Sequence, residues 1–190
     1  MRAFIAIGLP KEIEDYLGKL EDKLKSTQAD VKWVKPENIH LTLKFLGERD
    51  DKKVEQIKGA LDEVSADNNA FRIHIGSLGG FPNLNSPRVI WVGIDQGESE
   101  TKKIAQGLEE KIAKLGIPKE ERPFSSHITI GRTRSNKNRE KLVQELKLQM
   151  NEFGGQNLEF SVTKITLYKS TLTPTGPIYE ILKEANLKTT

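Results

Sequence analysis

Apolar residues follow two rhythms along this chain, and the switches between them outline its elements. Ala3 to Ile7 ("AFIAI") is a short apolar run closed by Gly8 and Pro10, the mark of a buried strand. From Lys11 to about Ser26, Ile13, Leu17, Leu20 and Leu24 recur at helical spacing. Trp33, Val34 and Pro36 lead into a strand from Ile39 to Leu46. Asp50 then stands where a helix cap is expected, ahead of the helical face Val54, Ile57, Leu61 and Val64. Phe71, Ile73 and Ile75 alternate with Arg72, His74 and Gly76, a strand pattern. The Gly-, Asn- and Pro-rich stretch "GSLGGFPNLNSPR" reads as a junction.

The same order then returns. "RVIWVGI" is a strand, and Ser99 to about Leu115 is a helix with Ile104, Leu108, Ile112 and Leu115 on one side. "SHITIGRT" is a strand, and Asn136 to about Met150 is a helix with Leu142, Val143, Leu146 and Met150 on one face. "LEFSVTKITLYKS" alternates as one strand, and "PIYEIL" adds a last one. Each half thus reads strand, helix, strand, helix, strand. The expectation is one domain over residues 1–190, built from related halves of about 1–80 and 88–185, with or without exchange of elements between them.

Composition narrows this picture modestly. The 190 residues are enough for one cored domain or two joined lobes. Hydrophobic content of 36% against 30% charged describes a globular chain with a charged surface. No apolar run approaches the roughly 18 to 20 residues a membrane helix needs. The start, "MRAFIAIGLPKEIEDY", turns acidic too soon for a signal peptide, so a cytoplasmic protein with no membrane association is expected. The absence of cysteine excludes disulfides, thiolate zinc sites and cysteine nucleophiles. A net charge of +3 tolerates a polyanionic partner without demanding one.

The chemistry sits in a repeated phrase. Two of the three histidines stand in "HLTL" and "HITI", each on the second strand of its half. On a strand, His40, Thr42 and Lys44 share one face, and Ile39, Leu41, Leu43 and Phe45 the other; His127 and Thr129 likewise oppose Ile128 and Ile130. If the halves face each other, two imidazoles and two hydroxyls converge. One imidazole can then act as base and the other as acid, while the hydroxyls bind non-bridging oxygens, which suits displacement at phosphorus. Neither metal nor nucleotide cofactor is required, and no HxH or HxxxH spacing suggests a histidine metal site. His74 lacks a threonine two positions on and reads as a structural or surface residue.

These motifs resemble those of the two-histidine (2H) phosphoesterases, specifically the LigT-like RNA 2′,3′-cyclic phosphodiesterases, also called 2′-5′ RNA ligases. "RAFIAIGLP", "HLTLKFLGE", "FPNLNSPRVIWVGI", "SHITIGRT" and "ITLYKSTLTPTGPIYEIL" carry the likeness, which spans essentially the whole chain. The resemblance implies an α+β fold of two pseudo-symmetric lobes. Each would be an antiparallel sheet with helices on its outer face, and the motifs would line a central groove. It implies hydrolysis of RNA 2′,3′-cyclic phosphate ends, tRNA halves among them, to 2′-phosphates by a monomer, with 2′-5′ joining as the reverse reaction. It casts His40 as proton donor and His127 as proton acceptor, with Thr42, Thr129 and Arg132 on the phosphate; the order of the two histidines depends on the reaction's direction. Other phosphodiesters (a small cyclic nucleotide or 2′-5′ oligoadenylate) and a non-catalytic RNA-binding module are the alternatives.

Three residues need the structure. Strict alternation points Arg132 away from His127, unless a bulge at Gly131 re-aims it. Lys44 is a candidate at the groove rim. Phe81 is the best-placed aromatic for stacking on a base, whereas Phe45 is expected in the core and Trp33, Trp91, Tyr168 and Tyr179 in packing roles.

Overall fold

A computed structural model describes residues 1–153 and 156–189. The chain runs β1 (Arg2–Gly8), α1 (Lys11–Lys25), β2 (Val31–Trp33), a 3₁₀ turn at Pro36–Asn38, β3 (His40–Glu48), α2 (Asp51–Ala66) and β4 (Phe71–Phe81). It continues through β5 (Val89–Ile94), α3 (Glu98–Ala113), β6 (His127–Thr133), α4 (Arg139–Phe153), β7 (Glu159–Val162), β8 (Lys164–Thr173) and β9 (Gly176–Asn186). The Asp50 side chain accepts from the Lys53 N–H at 2.7 Å, so α2 starts at the cap its sequence offers.

Two antiparallel sheets result, in the orders β3-β1-β8-β9 and β2-β6-β5-β4-β7. Each draws on both halves of the chain. β2 and β4 leave the first half for the second sheet, and β8 and β9 return from the second half to the first sheet. Helices α2 and α3 pack together, α2 against β8 and β9 and α3 against β3, while α1 packs on α4 and α4 on β4. The buried apolar residues of both sheets form one continuous core.

Two sequence expectations change here. The glycine-rich "GSLGGF" is not a junction but the second half of β4, and only residues 82–88 connect it to β5. Its glycines provide space rather than turns. A Cβ at Gly79 would stand 2.6 Å from Cζ2 of Trp91, and one at Gly80 2.7 Å from Cβ of Pro87. The single strand expected over "LEFSVTKITLYKS" is two strands in different sheets. β7 pairs with β4 and β8 with β1, and the chain crosses between them at Thr163.

Candidate active site

β3 and β6, the two motif strands, lie against each other where the sheets meet. Each begins at its histidine, and each histidine is anchored in the same way. Nδ1 of His40 lies 2.7 Å from the carbonyl oxygen of Asn38, and Nδ1 of His127 lies 3.0 Å from that of Ser125. A carbonyl only accepts, so Nδ1 carries a hydrogen in both rings and Nε2 is left to exchange protons. The side-chain amide of Asn38 donates to the Pro177 carbonyl at 3.0 Å, which ties the turn ahead of β3 to β9.

The surroundings of the two imidazoles differ. His40 stacks on Phe4 at 4.8 Å between ring centroids and meets the edge of Tyr179 at 5.4 Å. Tyr168 stacks on the same Phe4 at 5.2 Å. Burial in this aromatic nest lowers the His40 pKa, and the Asn38 hydrogen bond only partly restores it. His127 meets the edge of Phe81 at 5.2 Å. Its pKa is lowered by burial, partly restored by the Ser125 carbonyl, and lowered again by the Arg132 charge. Burial raises the Tyr179 phenol, and the cations Arg2 and Arg132 pull it part-way back. The Arg132 charge thus reaches one ring of each sheet, in keeping with the packing of β3 on β6.

Pairing explains how Arg132 reaches that groove. Trp91 opposes Thr129 and Ile90 opposes Gly131, so Ile130 is an extra residue in β6. This bulge returns Arg132, opposite Val89 and Lys32, to the face of His127 and Thr129. β3 does the same. Ala6 opposes Thr42 and Ile5 opposes Lys44, which leaves Leu43 as the extra residue. Here the consequence overturns an expectation. Lys44 swings to the core side beside fully buried Ile5, and its Nζ donates to Oε1 of Glu109 on α3 at 2.7 Å with its side chain 1% exposed. Lys44 is not a groove residue. Phe45 takes the groove side instead and is 59% exposed, not a core residue. Thr42 and Thr129 sit half-buried beside their histidines. His74 is apart from this group, half-buried on β4, with Nδ1 2.7 Å from Oδ1 of Asp95.

The model of the family described as LigT like phosphoesterase matches residues 7–91 and 92–179. This chain belongs to the LigT-like phosphoesterases. The RNA 2′,3′-cyclic phosphodiesterase of Methanocaldococcus jannaschii is 38% identical over 185 residues, 97% of this chain and 99% of its own length. The enzyme of the same name from Methanothermobacter thermautotrophicus is 36% identical over 180 residues, 94% of this chain and 95% of its own. Among solved structures, TT0787 of Thermus thermophilus superposes with a TM-score of 0.78 at 27% identity, covering 98% of both chains. Escherichia coli LigT complexed with 3′-AMP gives 0.77 at 28% identity, covering 98% of this chain and 97% of that one.

In this LigT-like phosphoesterase, sequence reading missed Phe4 and Tyr179 as the walls around His40. Both look like ordinary strand aromatics, and only the β3–β1–β8–β9 pairing brings them to the motif. The Asn38 and Ser125 carbonyls were also missed, since a backbone acceptor has no residue signature.

Proposed function

We propose that this LigT-like phosphoesterase hydrolyses the 2′,3′-cyclic phosphate at an RNA 3′ end to a 2′-phosphate, with no metal in the chemical step. The observation that carries the reading is the matched pair of imidazoles, each with Nδ1 bound to the carbonyl two residues earlier. Both Nε2 atoms are thereby committed to proton exchange on facing strands. The names of the relatives support the substrate.

In this reading a water attacks phosphorus as the bond to the 3′ oxygen breaks. His127 takes the water's proton, and His40 gives its own to the departing 3′ oxygen. Burial lowers both histidine pKa values, and the Arg132 charge adds to the lowering at His127 alone, which favours His127 as the base. Thr42 and Thr129 donate to the non-bridging oxygens, and Arg132 balances their charge. Phe81 borders the base side of the groove. With a 5′-hydroxyl in place of water and the histidines in the same roles, the same site joins RNA 2′-5′; the roles exchange when that linkage is cleaved back to the cyclic phosphate. The proposed site is assembled within one chain and needs no second copy, and the enzyme is proposed to act as a monomer. RNA fragments with cyclic ends, such as tRNA halves in the cytoplasm, are the substrate class.

The test is turnover of an oligonucleotide 2′,3′-cyclic phosphate by variants. His40→Ala and His127→Ala should each lose about 10²- to 10⁴-fold. His74→Ala should keep its activity, since its partner is Asp95. Equal losses in all three would refute the assignment.

A further inference from the structure

Trp91 has a setting that packing alone does not explain. It lies directly opposite Thr129 on β5, so its side chain rises on the groove face within reach of the phosphate site. Its neighbours on that face are glycines. Gly79 is its partner on β4, and Gly93 follows two residues along β5. The indole fills the room they leave. A Cβ at Gly79 would come 2.6 Å from Cζ2 and 2.7 Å from Cη2, and one at Gly93 would come 3.0 Å from Cζ3. The six-membered ring therefore lies down across the sheet instead of standing up from it. Phe81 extends this surface, with its ring 5.1 Å from Trp91 and tilted by 36°, and is itself 36% exposed. Phe81 also meets His127, with ring centroids 5.2 Å apart and planes at 82°. Aromatic contacts thus link the His127 imidazole through Phe81 to the indole beside Thr129.

We propose that Trp91 is the platform on which the nucleobase of the terminal nucleotide stacks, a role that rests on the phosphate position proposed above. Its own cross-strand partner Thr129 holds the phosphate, so phosphate and base belong to one nucleotide. Gly79 and Gly93 act as positioning residues by leaving the ring no choice but to lie flat. Recognition through a π-face tolerates every base and favours the larger purines. The enzyme would accept any terminal nucleotide, in the order purine before pyrimidine.

The chain has two tryptophans, so in a Trp33→Phe variant the indole emission reports Trp91 alone. Adenosine 2′-monophosphate should quench that emission saturably, and ribose 2-phosphate should not. Adenosine 2′-monophosphate that fails to bind, or binds without quenching, would overturn the platform. A second measurement compares kcat/KM for adenosine 2′,3′-cyclic phosphate with that for a base-free ribose 2,3-cyclic phosphate. Trp91→Ala should reduce this ratio by about 10- to 100-fold, the scale of one lost base stack, and Trp91→Phe should largely keep it. An unchanged ratio in Trp91→Ala would reduce Trp91 to a packing residue. Quenching by the nucleotide without hydrolysis of either cyclic phosphate would support the platform and strike the proposed reaction alone.

Discussion

Leu43 and Ile130, each three residues past its motif histidine, are both the extra residue of a β-bulge. The bulges send the next residue in each motif to the core side and the one after it to the groove. Lys44 and Gly131 go inward; Phe45 and Arg132 face the groove. Adjacent offsets should therefore fail in different ways. Lys44→Ala removes one partner of a pair with Glu109 and should lower unfolding stability by about 3 kcal/mol, with KM unchanged in the folded fraction. Arg132→Ala should leave the melting temperature in place and lower kcat/KM about 10²-fold, with Arg132→Lys intermediate. Paired denaturation and kinetic measurements check both; a raised KM in Lys44→Ala would contradict the inward placement.

The lowered pKa values of both histidines predict where hydrolysis is fastest. His127 must be unprotonated and His40 protonated, so kcat/KM follows a bell bounded by their two pKa values. Both lie below the ordinary 6.5, so the optimum should lie on the acid side of that value. Phe4→Leu removes the ring stacked on His40 and admits water. The limb set by His40 should then move to higher pH. A limb that stays in place, or a flat profile from about pH 5 to 8, would contradict this assignment.

Glu21 predicts a pH dependence of stability unrelated to catalysis. It lies on the buried face of α1 with Leu17 and Leu24, fully inaccessible, and neither carboxylate oxygen accepts a hydrogen bond among the described residues. Lys25 is 4.0 Å away. Burial pushes its pKa up to about 8. The folded protein thus holds a proton that the unfolded chain releases near 4.5. Stability should be fullest below that value and fall as pH rises towards about 8. Glu21→Gln should flatten this slope and stabilise the protein at pH 9, read from denaturant midpoints. An unchanged slope would place the titrating group elsewhere.

Much of this was legible in the chain. Helical and alternating periods located the four helices and most strands, and Asp50 marked a real cap. The paired "HLTL" and "HITI" marked the strands that meet. What stayed hidden depends on pairing partners. Nothing in "LTLKF" announces a bulge, so alternation placed Lys44 and Phe45 on the wrong sides. Gly131 hinted at the bulge in "ITIGR", although the extra residue is Ile130. The glycines of "GSLGG" looked like a turn because the indole that needs their space lies on the next strand. The crossing at Thr163 left alternation unbroken, so one rhythm covered strands of two different sheets.

The most direct test of paired-histidine hydrolysis is the product formed from an oligonucleotide 2′,3′-cyclic phosphate in the presence of EDTA, read by phosphorus NMR. His40 donating to the 3′ oxygen, with no metal in the step, predicts a 2′-phosphate at undiminished rate. A 3′-phosphate product, or activity restored only by added metal, would contradict it.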